Sequence, residues 1–358
     1  MAIKYKWLAE ILREWIDKSR DNGIDRLPTE MELCARYKVS RQTVRLTLSI
    51  LEKEGLITKK HGSGSYITGL SRDGSKNSIP ILITGQEEYF YPELIEDITG
   101  VLGSMGFSGE IFVTNNQVCL EREILLQLLE NPPRGIIAEG CKSALPNPNL
   151  KLYQELIKKG TSLLFLHNYY PALTDSLYVK DDNLAGSELL IRHLALLGHT
   201  AIGGIFLSDD LQGTERYLGF LQASYALGLS VEDNRISWFH TGQLQRLQKK
   251  QDTRFLKAAI QEALKDCTAV VCYNDEIAYW LMKELLLAGY SLPRDMAIVS
   301  FDNTYLSNSD TLTITSLSHR PHEMGLTAAQ MMVDRLKGLP VASREIPWTL
   351  IEKESSLT

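Results

Sequence analysis

The sequence predicts an α/β protein in two parts: a small helical head with a two-stranded wing, and a larger body of two lobes, each built on a parallel sheet. Three observations predict it. Charge is divided unevenly. Residues 1–70 hold 13 Lys and Arg against 9 Asp and Glu, a balance of +4, while the remaining 288 hold 25 against 35, a balance of −10. The stretch 69–78 (GLSRDGSKNS) is polar and glycine-bearing, the composition of a linker. Beyond it, short apolar runs alternate with amphipathic stretches, the βαβ pattern that builds parallel sheets through right-handed crossovers.

The head reads as three helices and a hairpin. Residues 5–18 carry Leu8, Ile11, Leu12, Trp15 and Ile16 at helical spacing. Pro28 opens a short helix over 29–37, with Glu30 and Glu32 in its first turn. Lys38 and Val39 make a tight turn, and Ser40 caps a third helix over 41–54 with the apolar stripe Val44, Leu48 and Leu51. Gly55 ends it. Residues 56–58 and 65–68 then form a wing around a turn at 59–64.

In the body, strands are expected at 79–84, 109–114, 135–138, 162–166, 200–206, 236–239, 269–273 and 296–301. Helices are expected between them, including 121–130, 183–197, 214–227, 253–265 and 276–288. Two sheets of about five strands each are more economical than one very large sheet. The expected plan is a head at 1–68, a linker at 69–78 and a body at 79–358. Its lobes are 79–180 with 313–337, and 181–312 with 338–358.

Composition excludes several classes. Hydrophobic residues are 44% and charged residues 23%, which is ordinary for a globular chain and excludes collagen-like and disordered acidic proteins. No apolar run approaches the ~18 residues of a membrane helix, so no membrane partner is expected. The N-terminal 15 residues mix Lys, Glu and Trp without an apolar core, so no secretory signal is expected. Five cysteines, without a CxxC pair, fit a reduced cytoplasmic protein better than a disulfide framework or a zinc site. There is no GxSxG, HExxH, Walker lysine loop or GxGxxG opening a helix, so neither catalysis nor a cofactor nor a metal is expected.

The segment 27–68, LPTEMELCARYKVSRQTVRLTLSILEKEGLITKKHGSGSYIT, carries the first chemistry. A helix entering a DNA groove N-terminus first would present Ser40, Gln42 and Thr43 as hydrogen-bonding groups and Arg41 and Arg45 as cationic forks. At the wing tip Lys59 and His61 add polar contacts, while Gly62 and Gly64 let the backbone approach closely. This segment closely resembles the GntR-type winged helix-turn-helix. The resemblance implies phosphate and base contacts from Glu30, Ser40, Arg41, Thr43, Arg45, Gly62 and Gly64. Glu30 could accept from a cytosine amino group, orient Arg41 and Arg45, or simply complement its helix N-terminus.

The second chemistry lies where ligands sit in α/β lobes, beyond the carboxyl ends of the strands. A sugar site needs aromatic faces for C–H surface and planar polar groups for hydroxyls. Tyr89 and Tyr91 follow the first strand, Glu139 and Lys142 the third, and His167 and Asn168 the fourth. Asp182 precedes a crossover helix, Gln212 and Arg216 follow the fifth strand, Asn274 and Asp275 the seventh, and Asp302 the eighth.

The body also resembles the LacI-type regulatory domain, a two-lobed Rossmann-like relative of periplasmic sugar-binding proteins. The resemblance rests on VKDDNLAG, LLGH, RYLGF, VCYNDEIA, IVSFDN and TSLSHRP, in that order. It implies that Arg216, Asn274, Asp275, Asp302 and His319 face the effector, although the family often has Gln where His319 stands. A GntR head on a LacI body resembles the arabinose repressor (AraR) group. The implied function is a homodimeric repressor that binds double-stranded operator DNA and is released by a sugar, L-arabinose. The alternatives are another effector (a different sugar, a phosphosugar or a purine) and a solute-binding protein that serves a transporter.

Overall fold

The structure is a computed structural model that describes residues 5, 7–13, 15–16, 27–53, 56–60, 64–67, 77–85 and 91–357. The chain divides into two compact units, Met1–Lys76 and Asn77–Thr358.

In the first unit, residues 5, 7–13 and 15–16 are helical (α1), followed by α2 (Glu30–Tyr37), α3 (Arg41–Lys53) and an antiparallel wing of β1 (Ile57–Lys60) and β2 (Gly64–Ile67). Most of the expected apolar positions meet in one core: Leu8, Leu12 and Ile16 from α1 and Val44, Leu48 and Leu51 from α3, joined by Leu33 from α2 and Ile57 from the wing; Trp15 packs against it partly buried, and Ile11 is only half-buried outside it. Pro28 lies outside α2. Thr29 is the cap, and it exchanges hydrogen bonds with Glu32 in a capping box. Lys38 turns the chain with a φ of 52°, and Ser40 Oγ accepts from Thr43 N at 3.2 Å to start α3. The wing strand continues through Lys60, so the connection is shorter than expected. Gly55, residues 61–63 and linker residues 69–76 lie outside the described residues.

The second unit holds two six-stranded sheets. The first runs β13-β7-β6-β5-β3-β4, all parallel. It is built from β3 (Ser78–Ile83), β4 (Ser108–Val113), β5 (Gly135–Ala138), β6 (Ser162–Leu166), β7 (Leu177–Asp181) and β13 (Arg344–Ile346). It is flanked by α4 (Tyr91–Ser104), α5 (Val118–Glu130), α6 (Leu150–Lys158) and α12 (Glu323–Leu336).

The second sheet runs β14-β12-β11-β10-β8-β9. It is built from β8 (Ile202–Leu207), β9 (Ile236–Phe239), β10 (Ala269–Cys272), β11 (Ala297–Phe301), β12 (Thr315–Ser318) and β14 (Thr349–Ile351), of which only β14 is antiparallel to its neighbour. Its helices are α7 (Asn183–Leu196), α8 (Leu211–Ala226), α9 (Thr241–Lys250), α10 (Arg254–Gln261) and α11 (Asp275–Leu287).

Six strands stand where five were expected in each sheet, because β7, β12, β13 and β14 are short or polar. The lobe boundaries move accordingly. β12 pairs with β11 in the second lobe, and β13 pairs with β7 in the first. The chain therefore crosses between lobes after Asp181, between Ser318 and Glu323, and between Ile346 and Thr349, not at 313 and 338. Among the described residues, no helix is long and apolar enough to cross a membrane.

At the crossings the lobes are tied by a buried ion pair. Lys180 of β7 places Nζ 2.8 Å from both carboxylate oxygens of Glu215 on α8, with Glu345 of β13 at 3.2 Å. Asn183 donates to the same Glu215 at 2.8 Å.

Candidate ligand cleft and nucleic-acid interface

A cleft of about 840 Å³ separates the two sheets, at the carboxyl ends of their strands. From the first lobe, Glu139, Lys142, His167, Asn168 and Asp181 line it, and from the second, Asp210, Gln212, Arg216, Tyr273, Asn274 and Asp302, with His319 at a crossing.

Glu139 Oε2 accepts from Thr84 N, Thr84 Oγ1 and the Tyr91 phenol, the last at 2.6 Å. Tyr91, almost fully buried as the first residue of α4, also lines the cleft, and its phenol orients Glu139. His167 adopts a left-handed φ of 62°, which turns its ring toward two carboxylates: Nδ1 is 3.6 Å from Asp181 and Nε2 3.7 Å from Glu139. Burial opposes charging this ring, but the two carboxylates outweigh it and raise its pKa to about 9. The Asn168 amide clamps Gly140, accepting from its N at 2.8 Å and donating to its O at 3.2 Å. Lys142 lies across the cleft from Asp209, 4.0 Å from its carboxylate.

Asp182 does not reach the cleft. It caps α7 by accepting from Ala185 N, because it follows the last residue of β7 and starts the next element. The residue that faces inward is its neighbour Asp181, which is 2% exposed. One Asp181 oxygen accepts from Gln212 Nε2 at 3.1 Å. The other is buried without a hydrogen bond, 3.4 Å from His319 Nε2. Burial opposes this charge too, yet His167 and His319 hold the carboxyl well below its ordinary range. His319 lies over Trp348 with ring centroids 4.8 Å apart, and Asp181 raises its pKa against the effect of burial.

Among the described residues, Arg216 is the largest fully buried side chain. Its guanidinium sits 4.2 Å from the Phe301 ring centroid and 5.0 Å from that of Tyr273. It donates to Asn183 Oδ1 and the Tyr273 carbonyl and stands 3.5 Å from Asp302. Asn274 lines the cleft and caps α11 through Ile277 N.

Asp275 lies beneath the wall, not in it. It has no exposed surface and accepts from Ser300 and Ser316 Oγ and from Thr304 N and Oγ1. Burial first, and Asp302 second, push its pKa up to about 6. Tyr89 lies outside the described residues.

Sequence reasoning passed over Asp181, Asp210 and Tyr273. Asp210 caps α8, accepts from Ser143 of the opposite lobe at 2.9 Å and from Tyr273 OH at 2.8 Å. Its signal was present as a pair of aspartates just before a helix. Among the described residues, Glu93, Asp97 and His322 are grouped closely enough to hold a cation. These groups already engage one another, with His322 Nδ1 at hydrogen-bond distance, 2.8 Å, from Asp97 Oδ1 and 3.2 Å from Glu93 Oε1.

On the head, Ser40, Arg41, Gln42 and Arg45 are exposed at the start of α3, and Thr43 is partly exposed with Oγ1 2.8 Å from Ser40 Oγ. Arg45 Nε lies 3.0 Å from Glu30 Oε2, so Glu30 steadies an arginine, one of the roles left open by its position. Lys59 sits in β1 and Gly64 begins β2; His61 and Gly62 lie outside the described residues.

Residues 4–67 match the family of bacterial regulatory proteins described as gntR, and residues 191–356 match a periplasmic binding protein-like domain. An arabinose metabolism transcriptional repressor of Geobacillus stearothermophilus is 32% identical over 339 residues, covering 93% of this chain and 91% of the relative. One from Halalkalibacterium halodurans is 29% identical over 341 residues, covering 93% and 89%. In fold, the chain is similar to a periplasmic binding protein/LacI transcriptional regulator from Alkaliphilus metalliredigens solved with D-xylulofuranose. That likeness has a TM-score of 0.64 at 19% identity, and covers 79% of this chain and all of the other.

Proposed function

The chain belongs to the family of arabinose metabolism transcriptional repressors, and from that premise we propose that L-arabinose is its effector and that sugar in the cleft releases a cytoplasmic homodimer from operator DNA. The head, 1–68, reads DNA, the segment 69–78 links it, and 79–358 senses sugar and dimerises. Two heads in one dimer match the two half-sites of a palindromic operator.

The observation that carries the effector reading is Asp181. A buried, ionised carboxylate with one oxygen lacking a donor, bracketed by two imidazoles, is complementary to a sugar hydroxyl that donates to the acid and accepts from a ring N–H. Glu139, Gln212, Arg216, Asn274, Asp302 and Lys142 complete the polar wall.

The charges favour a neutral polyol over a phosphosugar. Arg216 stands against Asp302, Lys142 against Asp209, and His167 against Asp181 and Glu139. A phosphate would displace carboxylates from cations they already face. On the head, Arg41, Gln42, Thr43, Arg45, Lys59, His61, Gly62 and Gly64 contact DNA, and Glu30 positions Arg45.

The test is a thermal-shift and calorimetric titration of the full-length protein with L-arabinose, D-xylose, D-ribose and a pentose phosphate. The effector at 100 times its Kd should add about 2.7 kcal/mol of stability. A response to the phosphate alone would overturn the neutral-sugar assignment.

A further inference from the structure

The face of α3 turned away from the core is not uniformly polar. Val44, Thr47, Leu48 and Leu51 are buried. At 3.6 residues per turn, the opposite face presents Gln42, Arg45 and Leu46. Leu46 is 48% exposed at the middle of that face. Gln42 stands one turn before it, so the two side chains are neighbours. The ion pair between Arg45 and Glu30 of α2 draws Arg45 toward one edge.

A base pair shows the major groove hydrogen-bonding atoms and one apolar feature, the C5-methyl group of thymine. Leucine neither donates nor accepts, so that methyl is the base-edge feature it can select. The amide of Gln42 suits the paired donor and acceptor of adenine. We propose that Leu46 is a specificity-determining residue of operator recognition, packing on a thymine C5-methyl beside the base that Gln42 reads. This rests on α3 being the DNA-reading helix and adds to it a methyl-dependent preference for thymine.

Full-length protein can select its operator from a pool of random duplexes. The selected duplex is then remade with deoxyuridine in place of thymine, which deletes the methyl and keeps every hydrogen-bonding group. Burial of one methyl predicts that the parent binds the remade duplex about fourfold more weakly per half-site, about fifteenfold across two. Leu46→Ala should bind the two duplexes alike, to within about twofold. Single deoxyuridine replacements then locate the methyl.

If nothing is selected, the DNA-reading assignment itself fails. If a sequence is selected but its affinity survives loss of the methyls, only the thymine contact fails. A Leu46→Ala protein as methyl-sensitive as the parent overturns the contact as well. So does one that loses affinity for operator and random duplexes by the same factor, which would make Leu46 a contact to the DNA backbone.

Discussion

Lys180 and Glu215 join the two lobes of the body through a buried ion pair, the ammonium 2.8 Å from each carboxylate oxygen. Lys180 belongs to the last strand before the first crossing, and Glu215 to the helix that also carries Arg216 into the cleft. The pair therefore stands next in sequence to Arg216, a residue of the cleft wall.

Replacing Lys180 by Met should destabilise the body by about 3–5 kcal/mol, because Glu215 then keeps a buried charge without its cation. Adding Glu215→Gln should recover part of the loss. Melting temperatures of the single and double variants check this, and a Lys180→Met protein as stable as its parent overturns it.

Asp181→Asn should weaken effector binding roughly ten- to a hundredfold, the loss of one charge-assisted hydrogen bond. Operator affinity in the absence of sugar should stay the same. Asp182→Ala should do the reverse of what adjacency suggests, costing about 1 kcal/mol of stability through the α7 cap while leaving effector affinity unchanged. Calorimetric titration of both variants separates the two aspartates.

His167 gives a stability term with a defined pH window. Its pKa is raised from 6.5 to about 9, so the stabilisation from its protonated ring is complete below pH 6.5 and is lost as pH rises through about 9. The melting temperature of the parent should exceed that of His167→Gln by more at pH 6 than at pH 9.5 or above, by this linkage. A gap that stays constant across that range would sink the assignment of charge to this ring.

Operator binding should weaken steeply with salt. If each of two heads neutralises about three to five phosphates, the slope of log K against log salt is roughly −5 to −9. Arg41→Ala should cost about 1–3 kcal/mol on the operator, whereas Lys59→Ala should weaken all sequences alike. Equal losses on operator and random DNA for Arg41→Ala would count against a base contact.

Gly219→Ala should destabilise the second lobe by about 1–3 kcal/mol through overpacking. A Cβ there would stand 2.6 Å from the Leu184 carbonyl oxygen on the facing helix α7, a backbone atom that cannot swing aside. Circular-dichroism melts measure the loss, and an unchanged midpoint would show that α7 and α8 can part freely.

That glycine also shows why so much of the body was legible. The run Arg216-Tyr-Leu-Gly219-Phe220 gathers a buried cation, a close helix approach and a core aromatic into five consecutive residues, so demands made by distant neighbours leave their mark on one short stretch of sequence. Gly186 answers Trp348 in the same way, its would-be Cβ lying 2.5 Å from the indole. The choice between Asp181 and Asp182 was not local. It depended on where β7 ends, and Lys180 and Asp181 break the apolar run that would have marked the strand. Asp275 was misread for a related reason. It adjoins the cap of α11, but its burial is set by Ser300, Thr304 and Ser316, supplied by β11, the loop after it and β12. The strands β13 and β14 have three residues each, and only pairing with β7 and β12 identifies them.

The threefold passage of the chain between lobes also bears on how the protein is made. Neither sheet is finished by a continuous stretch of sequence: β13 closes the edge of the first and β14 the edge of the second, and both lie within residues 344–351. During translation, both lobes therefore wait with an unpaired edge strand while almost all of the body has already been synthesised. The head, whose core draws on residues 8 to 57, has no such delay and can fold while the rest is still being made. A nascent chain can thus carry a folded DNA reader before it has a completed sugar sensor, and the last few strands are where the two lobes become complete together.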